Sequence, residues 1–151
     1  MKNSSFMHFE MMFYRRQREI IRNFFRNYNL KFFEGALLIS ISHSPGANQG
    51  ELSCRMLADE SSVARSLRTL EKLELIYRTE DPENHRKKLV FPTKRATKLY
   101  GEFKNVFTDW NNLLYKGLSA EDIATLDELF SKLEKNFEQI DFDKVMKKLE
   151  K

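Results

Sequence analysis

Six residues between positions 61 and 72 carry side chains suited to recognising a polyanion: Ser61, Ser62, Arg65, Arg68, Thr69 and Lys72. Arginine is a forked, permanently charged donor that matches guanine edges and phosphates. Lysine brings a point charge to phosphate, and hydroxyls donate to either. Their three- and four-residue spacing places them on one side of a helix whose other side carries Val63, Leu67, Leu70 and Leu73. Such a row taken alone is equally an ordinary solvated face, so its neighbours decide the reading. Those neighbours include no glycine-rich phosphate loop, no nucleophile elbow and no His-rich metal motif. Catalysis, a bound metal and a cofactor are therefore not expected.

The neighbours do include a basic edge. The strand-like runs Leu75-Ile76-Tyr77-Arg78 and Leu89-Val90-Phe91 flank a polar stretch, Thr79 to Lys88, that reads as a long hairpin tip. The tip is acidic from Glu80 to Glu83 and then basic, and residues 84–98 hold six Lys or Arg and no acid. Lys87 and Lys88 suit phosphate, and a guanidinium at Arg86 on a protruding hairpin suits a narrow minor groove. The plainer alternative for Arg86 is an ion pair with Glu83 or Asp81.

These residues need a scaffold, and the sequence writes one. Asn48-Gln49-Gly50-Glu51 supplies a side-chain oxygen for a helix start and a glutamate three positions on, predicting a short helix to about Met56 with Gln49 at its opening. Asp59 caps the next helix, so two short helices meet at a tight turn: a helix-turn-helix. Upstream, Phe6, Phe9, Phe13, Ile20, Phe24 and Tyr28 recur at helical spacing with arginines between them, predicting a long amphipathic helix. Gly35 to Ser42 forms a second helix ended by Pro45-Gly46. Downstream, Thr93 opens a helix with an apolar stripe from Ala96 to Leu114. Gly117 closes that helix, Ser119 with Asp122 opens another, and Phe142 to Lys151 adds one or two more turns.

Length and composition set the frame. With 151 residues, 41% of them hydrophobic, the chain is expected to be one folded unit. Three prolines and five glycines favour a mainly α architecture with a small β-wing. Residues 1–100 carry 18 basic and 11 acidic side chains, residues 101–151 carry 8 and 11, so the basic excess sits in the first two-thirds. The single cysteine, Cys54, excludes an internal disulfide and reads as a buried thiol. His8, His43, His85 and Cys54 are scattered, without the paired spacing of a metal site. With no apolar run of about 20 residues and no signal-peptide pattern, a cytoplasmic location without a membrane partner is expected.

At this point the chain resembles the MarR family of regulators over nearly its whole length. Asn48-Gln49-Gly50-Glu51-Leu52 looks like the family's entry to its first DNA-contacting helix. Ser61-Ser62-Val63-Ala64-Arg65, followed by Leu70 to Arg78, looks like its recognition helix running into the first wing strand. Asn84-His85-Arg86 with Pro92-Thr93 resembles the family's wing signature, with Asn84 in place of an aspartate, Pro92 in place of a leucine and Ala96 in place of a glycine. The resemblance implies a winged helix-turn-helix over 36–93, and helices over 5–31 and 94–151 forming a dimerisation part. It implies a homodimer that binds a pseudo-palindromic site on double-stranded DNA, represses transcription and is released by a small aromatic or carboxylate effector. Arg16, His43 and Arg86 are candidates to meet such an effector; as plain alternatives, Arg16 is a solvated charge and His43 a helix C-terminal residue. The rival reading from another class is a winged-helix scaffold that contacts proteins without reading DNA sequence.

Overall fold

The computed structural model describes residues 4–149, except for the side chains of Ser4, Arg86 and Leu149. In chain order the elements are α1 (Ser4–Arg26), α2 (Phe32–His43), β1 (Ala47–Asn48), α3 (Gln49–Met56), α4 (Glu60–Lys72), β2 (Ile76–Asp81), β3 (Asn84–Pro92), α5 (Lys94–Leu114), α6 (Ala120–Glu138) and α7 (Phe142–Leu149). Backbone contacts group them into two compact units, Met1–Val106 and Phe107–Lys151, with the boundary inside α5.

The core of the first unit is organised around α2, which packs on α1, α3, α4 and β3. Leu37, Leu38 and Ile41 of α2 are fully buried together with Phe25, Leu52, Val63, Leu67 and Leu70. Each such side chain stabilises the fold by roughly 1.5–3 kcal/mol relative to exposure. α1 and α2 approach closely at Gly35, where a Cβ would stand 2.5 Å from the Phe25 ring. From α5, Ala96, Leu99 and Phe103 complete this core, with the Phe103 ring 5.4 Å from both Phe24 and Phe25. α1 ends earlier than Tyr28 because Asn29 turns left-handed (φ 59°), a conformation asparagine tolerates.

The helix-turn-helix joint is built from two caps and one strained residue. The Asn48 side chain accepts from Glu51 N and the Glu51 carboxylate accepts from Asn48 N, both at 3.1 Å, closing the expected capping box. α3 ends at Leu57 in the left-handed region (φ 47°, ψ 47°), with the side chain 89% exposed. A left-handed L-residue costs about 1–2 kcal/mol, and glycine there returns about 0.4–1 kcal/mol of that through unfolded-state entropy. Leu57→Gly is therefore expected to raise stability by about 0.5–1 kcal/mol by this difference; a urea midpoint that falls instead would refute the strain.

Cys54 corrects an expectation. Its residue is exposed, because the buried side of α3 is formed by Leu52 and Ser53 and the following position rotates outward.

The sheet also differs from the expected one. Its order is β1-β3-β2, all antiparallel, and β1 was not anticipated: Ala47 pairs with Val90 and Asn48 with Leu89. The wing is not two short strands around a long tip at 79–88. β2 and β3 run through most of that polar stretch, from Ile76↔Pro92 to Glu80↔Lys88, and only Pro82-Glu83 separates them. The ladder is made by main-chain groups, so polar side chains do not end it. Glu80 opposite Lys88 pairs unlike charges, proline favours the turn, and Asp81 Oδ1 accepts Glu83 N at 2.9 Å. A register irregularity at Glu80/Asp81 absorbs the unequal strand lengths.

In the second unit, Gly117 (φ 92°) precedes Ser119, whose hydroxyl accepts Asp122 N at 3.1 Å and starts α6 as expected. Among the described residues α6 has none buried, and Leu129, Phe130, Leu133, Phe137, Phe142 and Met146 are exposed along α6 and α7. No helix among the described residues is long and apolar enough to cross a membrane.

Candidate nucleic-acid interface

α4 presents the row that the sequence singled out. Val63, Leu67 and Leu70 are buried, and Ser61, Arg65, Arg68 and Lys72 on the other side are exposed, with Ser62 and Thr69 half-buried at its margin. The helix start is ordered by Asp59. One carboxylate oxygen accepts Ser62 N at 2.8 Å and Ser61 Oγ at 2.5 Å; the other accepts Ser62 Oγ at 2.7 Å. Arg65 Nη2 then donates to Ser62 Oγ at 3.1 Å.

The hydroxyls of Ser61 and Ser62, followed by the Ser62 amide, hold the Asp59 carboxyl well below the usual carboxylate range. With its folded value depressed, the cap's stabilisation is complete above the unfolded value and is lost only as pH falls through the folded one. The cap is thus fully ionised at neutral pH. Farther along, Arg68 Nε donates to Ala64 O and Thr69 Oγ1 to Arg65 O, both at 3.3 Å.

The far end of α4 is tied down as well. Thr93 Oγ1 donates to Glu74 O at 2.9 Å and Arg95 Nη1 to Leu73 O at 3.1 Å, so residues before and within α5 satisfy carbonyls just past the helix.

Between the start of α3, α4 and the wing lies a cleft of about 430 Å³, floored by Leu67 and Val90 and edged by Gln49, Arg78, Lys87 and Lys88. Arg78 is a component that the sequence reading left out. Its Nη2 lies 3.2 Å from Glu71 Oε2, and its Nε is buried without a hydrogen-bond partner among the described residues. The signal was available in the two-residue period of β2, which puts Arg78 on the same face as buried Ile76, towards α4. Arg86 is on β3, two residues past the strand's start, and its side chain lies outside the described residues.

Two of the three effector candidates, Arg16 and His43, fall elsewhere. Arg16 is exposed on α1 and pairs with Glu19 at 2.9 Å. His43 ends α2 and has its Nε2 2.8 Å from the Tyr100 hydroxyl. A separate crevice of about 200 Å³ is lined by Tyr28, Leu75, Arg95, Lys98 and Glu102, with Tyr28 Oη donating to Glu102 at 2.6 Å, and neither Arg16 nor His43 lines it. Among the described residues no group of three or more His, Cys, Asp or Glu is placed to hold a metal ion.

Comparison with known proteins points one way. The model of the MarR family matches residues 34–88, which hold α3, α4 and the first part of the wing. The chain is 26% identical over 115 residues to an uncharacterised HTH-type transcriptional regulator, YybA, of Bacillus subtilis (strain 168), covering 76% of this chain and 77% of the relative. It is 29% identical over 101 residues to the HTH-type transcriptional regulator BilQ of Clostridium symbiosum (strain WAL-14163), covering 67% and 70%. A solved structure of a putative MarR-family regulator from Listeria monocytogenes complexed with 26mer DNA superposes with a TM-score of 0.76 at 25% identity, covering 86% of this chain and 87% of that one.

Proposed function

We propose that the chain is a MarR-family transcriptional regulator, not an enzyme, and that it acts as a homodimeric repressor on a pseudo-palindromic operator; the family match over residues 34–88, the HTH-type relatives and the DNA-complexed structure support this reading. It is a transcriptional regulator with a DNA-binding winged helix. The observation that carries the finer reading is the exposed face of α4, where Arg65, Arg68 and Lys72 stand opposite a fully buried apolar face. On this reading α4 enters the major groove, with Arg65 and Arg68 at base edges or phosphates, and Ser61, Ser62 and Thr69 beside them. Gln49 approaches from the start of α3. Lys87 and Lys88 follow the backbone, and the wing position of Arg86 suits a guanidinium in the adjacent minor groove.

Two-fold symmetry is supported by apolar surface that each unit leaves uncovered. Phe6, Met7, Phe9, Met11, Met12 and Tyr14 are exposed on α1, and α6 and α7 expose the aromatic and aliphatic rows given above. Sedimentation equilibrium is expected to give a dimer at submicromolar concentration; a monomer would refute this part. Release by a small aromatic or carboxylate ligand is a further part of the reading, with Arg16, His43 and Arg86 as its candidate contacts. Thermal stabilisation by aromatic acids tests it.

The test of the whole is selection of bound sequences from random DNA, followed by binding at two salt concentrations. A repeated half-site with its partner about 10 base pairs away supports the operator reading. No selectivity even at low salt favours the protein-contact scaffold instead. In the same titration, Lys87→Ala with Lys88→Ala should weaken operator and random DNA alike. It should also make the log–log salt slope shallower by about 0.9 for each phosphate that is no longer neutralised; an unchanged slope would remove these lysines from the backbone.

A further inference from the structure

Serine hydroxyls at the start of a recognition helix are natural phosphate donors, yet both are engaged inside this protein. Ser61 Oγ and Ser62 Oγ donate to the two oxygens of Asp59, and Ser62 Oγ accepts from Arg65 Nη2 at 3.1 Å. A carboxylate, a hydroxyl and a guanidinium thus form one chain along the first turn of α4, with a single direction of donation from Arg65 to Ser62 to Asp59. Charge at Asp59 strengthens the Ser62 bond, and a polarised Ser62 oxygen is the better acceptor for Arg65.

An exposed arginine left alone samples many rotamers, and its ordering opposes any base contact. We propose that Asp59 acts through Ser62 to fix the Arg65 guanidinium before DNA arrives, so that Ser62 and Asp59 are positioning residues for base selectivity. The idea rests on reading α4 as the recognition helix. It assigns Ser62 a part other than phosphate contact. It also explains an acid at the mouth of a DNA-binding helix, where a bare carboxylate would repel phosphate: the hydroxyls of two serines and one backbone amide surround it.

Two substitutions separate this part from capping. Ser62→Ala removes the central hydroxyl and leaves the backbone amide that Asp59 caps. Asp59→Asn keeps an oxygen for that amide and replaces the other acceptor with a donor. The first measurement is made without DNA: nitrogen-15 relaxation and exchange of the Arg65 guanidinium. Restricted motion in the wild type, released in both variants and restored in Ser62→Thr, is expected. Equal mobility in all four proteins overturns the chain of bonds whether or not the protein reads sequence.

The second measurement uses the selected operator and single-base-pair variants. A net hydrogen bond of about 1 kcal/mol corresponds to about fivefold, so discrimination at the pair read by Arg65 should fall about fivefold in Ser62→Ala. Ser62→Thr should recover it, and Ser62→Ala should cost little further selectivity in an Arg65→Ala background. Loss that is uniform over all positions, or additive with Arg65→Ala, overturns the positioning part. Absence of any selectivity in the wild type with Arg65 still immobilised refutes the operator reading instead.

Discussion

Arg65→Ala combined with Arg68→Ala is expected to lower operator affinity at least thirtyfold while leaving the fold intact. A good arginine contact to a base edge is worth about 1–3 kcal/mol of discrimination, so removing two takes away about 2–6 kcal/mol. Both residues are exposed, and neither is joined to the core: Arg65 bonds Ser62 and Arg68 bonds a carbonyl of its own helix. Alanine is the better helix former, and substitutions of this kind shift stability by about 0.5 kcal/mol or less. Fluorescence anisotropy with the selected operator and with random DNA at one salt concentration separates the outcomes. Selective binding should collapse to the random-DNA level while the melting temperature holds. A double variant that keeps the ratio of operator to random affinity would remove α4 from base reading.

Gly35→Ala is expected to destabilise the protein although alanine is favoured over glycine by about 1 kcal/mol in a helix interior. Gly35 is buried in α2, and an added methyl would stand 2.5 Å from Cδ2 and 2.6 Å from Cγ of Phe25. The ring cannot yield freely, because Phe25 is fully buried and packs against Phe24 and Phe103 at 5.0 and 5.4 Å. Forcing extra volume into a packed site costs about 1–3 kcal/mol. Phe25→Ala should cost more, about 3–5 kcal/mol through reduced burial and the cavity left behind. Urea unfolding of both variants checks the pair. In the double variant Gly35→Ala, Phe25→Ala, the methyl no longer clashes, so its penalty should vanish or reverse. A glycine substitution with the same cost in both backgrounds would show that the clash is not its origin.

Much of the helical frame was legible because its signals are local. Asn48 with Glu51, Asp59 before Glu60, Thr93 before Lys94 and Ser119 with Asp122 each mark a helix start through a side chain reaching an amide three residues away. The apolar spacing of Val63, Leu67 and Leu70 fixed which face of α4 is buried, and so which face carries Arg65 and Arg68. Such patterns need no knowledge of distant chain segments.

Other features were decided by partners far away in sequence. The pair Ala47-Asn48 is too short to announce a strand and becomes β1 only because β3 offers it a free edge. The wing's length follows from a main-chain ladder that side-chain polarity does not record, which is why a stretch of charges at 79–88 read as a loop. Cys54 turned out exposed because an eight-residue helix buries only a narrow side.

Residue pattern alone thus establishes that α4 carries a basic face, and which residues stand on it. What those residues are bonded to emerges only when the chain is folded: Ser61 and Ser62 to Asp59, Arg65 to Ser62, Arg78 to Glu71. The reason is physical. Periodicity fixes the direction in which a side chain leaves its helix, whereas a hydrogen bond requires atoms to meet within about 3 Å, which depends on rotamers and on neighbours that the folded chain supplies.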